Sequence, residues 1–241
     1  MSERRYWAVV PAAGVGQRMC ATVPKQYLRL AGCTVIEHTL DILLRHPRIR
    51  GVVVAINAVD THWLSLPIAA SRRVLRVTGG AERAQSVLQG LQALQEWTHA
   101  QDWVLVHDAV RPCLRKSDLD ALILALEHDP VGGLLATPVR DTMKRADSEG
   151  RVSATEDRSN LWHAQTPQMF RYGVLTNALQ TAIGQGLTIT DEASAVEGVG
   201  LAPRLVTGRA DNIKITRPED LALAEFYLTS RRESVLEQDC G

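Results

Sequence analysis

An unbroken apolar run, Tyr6-Trp7-Ala8-Val9-Val10, leads straight into a turn of small residues, Pro11-Ala12-Ala13-Gly14-Val15-Gly16. Apolar residues without polar alternation suit a strand covered on both faces, the situation of a strand inside a parallel sheet. Gln17-Arg18-Met19 and Pro24-Lys25-Gln26 follow the turn. Small residues let backbone N–H groups approach a ligand closely. Arg18 and Lys25 put positive charge where a polyphosphate would sit. The segment reads as a nucleotide site or, alternatively, as an ordinary strand-to-helix turn with solvated cations. Two familiar phosphate loops are excluded. Lys25 lies between Pro24 and Gln26, so the G-x-x-x-x-G-K-[ST] pattern fails. Gly14 and Gly16 begin a G-x-G-x-x-G, but Met19 occupies its third glycine position.

Strand-like and helix-like segments alternate beyond this point. Thr34 to Leu44 has helical spacing, with Thr34 as N-cap and Glu37 three residues on. Gly51–Ile56 and Val74–Val77 read as strands. Ala81–Trp97 reads as a long helix with Val87, Leu88, Leu91 and Leu94 along one face. Trp103–Val106 is a further strand, Ser117–Glu127 a helix capped by Ser117, and Leu134–Thr137 another strand. Repeated βα units imply a mostly parallel sheet with helices on both faces. The pattern breaks between Pro138 and Trp162. Two polar strands there flank the turn-like Asp147-Ser148-Glu149-Gly150. A lone two-stranded ribbon is marginal in water. It either packs on a second subunit or is a solvated excursion at the sheet edge. The last helix starts near Pro218, with Glu219 and Asp220 in its first turn. The whole, residues 1–241, reads as one domain with an arm at about 138–162.

Composition narrows the function classes. Lys+Arg and Asp+Glu are both 27, so bulk charge gives no reason to expect nucleic-acid or membrane-surface binding. No apolar run approaches the roughly 20 residues of a membrane-spanning helix. The N-terminal cations precede no signal-peptide apolar region, so a cytoplasmic location is expected. Cys20, Cys33, Cys113 and Cys240 form no C-x-x-C and no zinc spacing. They are expected to be free thiols.

Ligands of open α/β sheets bind outside the carboxyl ends of the strands. Four polar clusters fall at such places. The first is the opening loop with Arg18 and Lys25. The second is Gly79-Gly80-Ala81-Glu82-Arg83, with Ser86 one helical turn beyond Arg83. Its glycines permit backbone contact with a base. The third is His107-Asp108-Ala109-Val110-Arg111. An Asp at a strand end accepts from a ribose hydroxyl or binds Mg²⁺, while a single His beside a core strand is a structural residue before it is a catalyst. The fourth is Arg209-Ala210-Asp211-Asn212-Ile213-Lys214. There Asp211 and Lys214 bring a metal ligand and a phosphate-facing cation together or, taken singly, are surface charges.

Together these stretches resemble the 2-C-methyl-D-erythritol 4-phosphate cytidylyltransferases of the non-mevalonate isoprenoid pathway. The matching segments are PAAGVGQRM with PKQY, TGGAERAQSV, VLVHDAVRPC, ATPVRDTMKR, LWHAQTPQMF, TDEASAVE and GRADNIKITRPEDLALAE. They run in family order over nearly the whole chain. The resemblance implies a Rossmann-like nucleotidyltransferase fold with a protruding β-arm, a homodimer, CTP, methylerythritol phosphate, and Mg²⁺ or another divalent cation such as Mn²⁺. Carried over residue by residue, it gives Ala12, Ala13, Gly14, Gly80 and Ser86 to cytosine and ribose, with Arg83 beside them. Asp108 would sit by ribose and metal, with Asp211 a second metal candidate. Arg18, Lys25 and Lys214 would grip the triphosphate. Thr142 and Arg158 of the arm would reach the acceptor of the neighbouring subunit, supported by Arg111 and Thr166. Gln17 stands where a second basic residue is common, and Ala81 where an acidic one is often found.

The chemistry fits that residue set. A phosphate monoester has its second pKa near 6, so its attacking oxygen is already anionic and needs no strong base. The task is to bring one anion onto another by positioning and charge. Rival readings are a sugar-1-phosphate nucleotidyltransferase, a ribitol-phosphate cytidylyltransferase, and a catalytically silent nucleotide-binding scaffold. Arg140-Asp141-Thr142-Met143-Lys144 favours methylerythritol phosphate, and intact Arg18, Lys25 and Lys214 oppose the scaffold. At 241 residues a fused cyclodiphosphate synthase is not expected.

Overall fold

The protein is described by a computed structural model covering residues 5–14 and 23–238. The first strand, β1 (Tyr6–Ala12), sits inside a seven-stranded sheet. It is paired in parallel with β4 (Ile49–Ile56) on one side and β6 (Trp103–Val106) on the other. Two short paired strands, β2 (Arg29–Leu30) and β3 (Cys33–Thr34), come between β1 and β4 in the chain. β5 (Val74–Thr78) forms one edge beside β4. Beyond β6 lie β10 (Trp162–Arg171), β7 (Gly132–Pro138) and β11 (Arg204–Thr207), in that order. Only β10 runs against its neighbours. The sheet is therefore mostly parallel, as the continuous apolar runs predicted.

The reason is visible in β1 itself. Successive side chains of a strand point to opposite faces. Tyr6, Ala8, Val10 and Ala12 join one buried layer, and Val9 joins the other. The first layer is closed by α1 (Val35–Arg45) and α3 (Lys116–Leu126). The second is closed by α2 (Arg83–Ala93), α4 (Tyr172–Gly184) and α5 (Glu192–Gly198). The last helix, α6 (Pro218–Gln238), packs Ala224 with Leu30, Val35, Val110 and Ile215 in a third, smaller cluster. With helices on both faces, β1 and β6 are apolar on both sides, whereas β10 carries the buried polar residues Gln165, Thr166 and Gln168.

Helix starts follow local capping. Thr34 and Glu37 form the expected reciprocal pair, with the Thr34 N–H donating to the Glu37 carboxylate at 2.8 Å. β4 and β7 run longer than expected, from Ile49 and over Gly132–Pro138, and two helix starts differ. α2 spans Arg83–Ala93 rather than Ala81–Trp97, because Gly79-Gly80 and Glu82 are drawn into the loop that meets β1. α3 begins at Lys116, not after Ser117, because the Asp118 carboxylate accepts from the Arg115 N–H at 2.9 Å. Ser117 lies within the first turn.

The polar segment forms its own ribbon, β8 (Met143–Ala146) antiparallel to β9 (Val152–Glu156), with Asp147–Gly150 as the turn. Its residues are almost all exposed. Cross-strand pairs such as Arg145–Glu156 at 2.6 Å hold it.

Close packing of α2 on β1 depends on a single glycine. A Cβ at Gly90 would lie 2.5 Å from Val9 Cγ1. Gly90→Val is therefore expected to destabilise the protein by about 1–3 kcal/mol through overpacking, read as a shifted urea midpoint. Gly184→Ala, where nothing lies within 4 Å, is the neutral control. Equal midpoints for the two variants would refute this packing account.

Candidate active site

The carboxyl ends of β1, β5 and β6 open on one pocket. Ala12, Ala13 and Gly14 line one wall, Gly80, Arg83 and Ser86 another, and Asp108, Lys25 and Lys214 converge from the third. The site residues expected for the nucleotide are thus brought together, apart from Arg18, which lies outside the described residues. Two loops meet closely here. A Cβ at Gly79 would lie 2.6 Å from Ala13 Cβ and 2.8 Å from Ser86 Oγ, so only glycine fits. Ser86 lines the pocket but also builds it. Its hydroxyl accepts from the Gly80 N–H at 3.1 Å and donates to the Glu82 carbonyl at 3.1 Å. Gln26, given no role by sequence reasoning, donates its amide N–H to the Ala12 and Gly14 carbonyls at 2.9 and 3.3 Å. It fixes the opening loop from below. Lys25 reaches the Ile215 carbonyl at 3.3 Å and so touches the segment that carries Lys214.

Asp108 is the electrostatic centre. Lys214 Nζ lies 2.7 Å from one carboxylate oxygen, Arg83 Nε lies 3.0 Å from the other, and Arg111 Nε stands 3.8 Å away. Burial pushes the Asp108 carboxyl up, but Arg83, Lys214 and Arg111 outweigh it and hold the group well below the usual carboxylate range. Asp108 is ionised at every physiological pH. Burial draws the Arg111 guanidinium down, opposed by Asp108.

His107, beside it, is fully buried. The Arg111 carbonyl, 3.1 Å from Nε2, can only accept, so Nε2 carries the proton. Nδ1 then accepts from the Thr166 hydroxyl at 2.9 Å. Thr166 in turn accepts from the Asp108 N–H at 3.1 Å. Burial holds His107 down to about 4, so the imidazole is neutral and structural, as expected. The sign for stability follows. Above about 6.5 the imidazole is neutral in both states. As pH falls below that, the unfolded chain gains a proton the native state refuses. Stability is therefore lost between about 6.5 and 4, by up to about 3 kcal/mol. His107→Gln is expected to flatten this part of the stability–pH curve. Parallel curves for wild type and variant would contradict it.

A second pocket adjoins the first and shares Arg83, Asp108 and Lys214 with it. Arg111, Thr166 and Gln168 line it. Arg111 is anchored by donating to the Asn212 carbonyl at 2.6 Å, and the Asn212 amide donates to the Thr166 carbonyl at 2.8 Å. Arg111 and Thr166 are thus fixed beside the three residues that the two pockets share. Thr142 and Arg158 do not line either pocket of their own chain. Both are exposed on the arm segment, where Arg158 donates to the Arg140 carbonyl.

Asp211 is placed differently from expectation. It lines neither pocket, and its carboxylate is held by Arg115 and by Arg209 at 3.1 Å. Outside both pockets and paired with two guanidiniums, it is placed as an ion-pair partner away from Asp108. Among the described residues no three His, Cys, Asp or Glu side chains cluster as a metal site. Asp108, which lines both pockets, is a carboxylate that could hold Mg²⁺ in the pattern of one or two carboxylates plus substrate phosphates. Cys33 is a free, exposed thiol, and the buried Cys113 sets its Sγ 3.7 Å from the Ala224 carbonyl; Cys20 and Cys240 lie outside the described residues. Among the described residues no helix is long and apolar enough to cross a membrane.

The model of the family IspD, 2-C-methyl-D-erythritol 4-phosphate cytidylyltransferase, matches residues 6–230. The protein of that name from Pseudomonas aeruginosa (strain UCBPP-PA14) is 62% identical over 217 residues, covering 90% of this chain and 93% of that one. Its counterpart in Pseudomonas putida (strain W619) is 58% identical over 232 residues, covering 94% and 97%. Among solved structures, a 4-diphosphocytidyl-2C-methyl-D-erythritol synthase superposes with TM-score 0.82 at 41% identity, over 95% of this chain and 100% of that one. The Francisella tularensis enzyme superposes with TM-score 0.81 at 33% identity, over 92% and 99%. With its pocket at the strand ends and matches along almost its full length, the chain belongs to the 2-C-methyl-D-erythritol 4-phosphate cytidylyltransferase family.

Proposed function

We propose that the enzyme transfers CMP from CTP to 2-C-methyl-D-erythritol 4-phosphate, releasing pyrophosphate, in isoprenoid precursor synthesis. The observation that carries this reading is the pair of adjoining pockets sharing Arg83, Asp108 and Lys214. A nucleotide in one and a phosphate monoester in the other would meet at these three side chains. The acceptor oxygen attacks the α-phosphorus in line and the pyrophosphate oxygen leaves. The residues have little covalent chemistry to do. Lys25 and Lys214 hold the triphosphate and offset the charge that develops in the transition state. Arg111 and Thr166 steady the acceptor. Asp108 is the side chain that would hold Mg²⁺ or Mn²⁺, which when bound supplies further neutralisation of the phosphates.

The same reading extends to assembly. Thr142 and Arg158 flank the exposed ribbon, just before β8 and just after β9, and line neither pocket of their own chain. A homodimer that delivers them to the neighbour's acceptor pocket gives them a function. With CTP and a phosphorylated polyol as substrates, the cytoplasm is the proposed location.

The test is pyrophosphate release with each nucleoside triphosphate and a panel of polyol and sugar phosphates. CTP is expected to exceed UTP in kcat/KM by at least about 100-fold. Cytosine presents an amino donor where uracil presents a carbonyl acceptor, and backbone groups of a rigid turn cannot reverse polarity to suit both. Equal use of CTP and UTP, or preference for a sugar 1-phosphate, would replace this reading with a broader nucleotidyltransferase.

A further inference from the structure

Glu192 opens α5 and is completely buried, yet it lines neither pocket. Both of its oxygens meet Arg83, at 2.5 Å from Nη1 and 3.0 Å from Nη2. The remaining donor on the stem side, Arg83 Nε, goes to Asp108 at 3.0 Å. One guanidinium thus spans from a buried helix start to the carboxylate at the centre of the site. Such a bidentate grip fixes orientation as well as charge.

Stability does not explain the arrangement. A buried ion pair gains little over apolar residues of equal volume, because both charges must leave water. Nor does α5 depend on Arg83 for its place. Asp191 caps it by accepting from the Ser194 N–H at 2.9 Å. Gln168 of β10 joins Asp191 at 2.8 Å and the Ala193 N–H at 2.8 Å. Glu192 is therefore presented on a firm mount and acts outward, on Arg83.

The charges clarify what it does. Asp108 and Glu192 face Arg83, Arg111 and Lys214, which leaves one surplus positive charge. Three of the five N–H donors of Arg83 are committed, one from each terminal nitrogen to Glu192 and Nε–H to Asp108, so the plane of its guanidinium is fixed. Lys214, at 39% exposure, is the cation able to leave Asp108 for an incoming ligand. We propose that Glu192 is a positioning residue: it keeps Arg83 off the triphosphate and against Asp108, so that Arg83 orients this carboxylate. The inference rests on the cytidylyltransferase reading above.

Glu192→Gln retains shape and removes the charge. In metal-free calorimetry CTP is expected to bind severalfold more tightly, because the released Arg83 adds positive charge to the pocket. At the same time kcat should fall about tenfold or more, as when a supporting partner of a functional carboxylate is lost. A merely structural Glu192 would weaken CTP binding together with thermal stability and leave kcat per bound nucleotide unchanged; that pattern overturns the proposal. The double variant Arg83→Met with Glu192→Leu replaces the pair by apolar volume and guards against misfolding. It should show the same loss of kcat without the tighter CTP binding, and wild-type kcat in this variant also overturns the proposal. Wild type is assayed alongside. No turnover of CTP with methylerythritol phosphate by wild type dismisses the cytidylyltransferase reading, whereas an active wild type with an unaltered Glu192→Gln variant dismisses only the role of Glu192.

Discussion

Lys214→Ala is expected to lower kcat by about 100- to 1000-fold while the protein stays folded, the scale for removing one preorganised donor to developing charge. Lys214 sits 2.7 Å from Asp108 and lines both pockets. Its cost to the fold is small, because Asp108 keeps Arg83 at 3.0 Å, and Lys214 is itself partly exposed, where an ion pair contributes little. The effect on catalysis is large for the same reason. A partly exposed ammonium on a flexible stem can exchange one anion for another, and a phosphate arriving at the pocket is a better partner than a carboxylate already held by an arginine. Lys25→Ala should behave similarly, since Lys25 lines the same pocket and touches the backbone at Ile215. Steady-state kinetics with circular dichroism as a folding check decides the matter. Turnover within threefold of wild type in both variants would remove the triphosphate grip from the mechanism.

Much of this site was legible because its residues follow strands whose apolar runs announce themselves. Asp108 comes two residues after the buried Trp103–Val106, and Gly80 two residues after β5, so both had to fall at the ligand-binding edge of the sheet. That β1, β4 and β6 run parallel was readable for the same reason, though their order in the sheet was not. Glu192 was not. Its partner Arg83 is 109 residues away, and nothing in Thr190-Asp191-Glu192-Ala193 distinguishes a buried carboxylate from an ordinary first-turn acid favoured by the helix dipole. Gln26 was hidden by its neighbour, because a cation beside a small-residue turn draws the eye and an amide does not. Asp211 misled in the opposite direction. An acid three residues before a lysine suggests a shared ligand, but the fold turns it onto Arg115, 96 residues earlier. Local spacing locates strand ends; it does not reveal which charges will be neutralised by distant ones.

Arg158→Ala is expected to raise KM for methylerythritol phosphate by about 100-fold, the scale for removing an arginine that grips a phosphate. CTP binding should hardly change, because Arg158 is absent from the nucleotide pocket. In its own chain Arg158 is exposed and donates to the Arg140 carbonyl, and it lines neither pocket. Among the described residues no carboxylate is paired with this guanidinium, and the acceptor phosphate of a neighbouring subunit would supply an anion. The ribbon that ends two residues before Arg158, at Glu156, would be marginal by itself. In a two-fold dimer the same surface patch is used on both sides, so each arm would complete the partner's site. Mixing subunits tests the sharing directly. An Arg158→Ala subunit keeps Lys25 and Lys214 but supplies a defective arm. A Lys25→Ala subunit has a defective nucleotide pocket but an intact arm. In the heterodimer one site combines the intact pocket of the first with the intact arm of the second, so about half of the wild-type activity per dimer should return while both homodimers stay impaired. The other site would hold both defects and be silent. Confirmed heterodimers with no recovered activity would mean that each arm serves its own pocket, and the proposed exchange would fall.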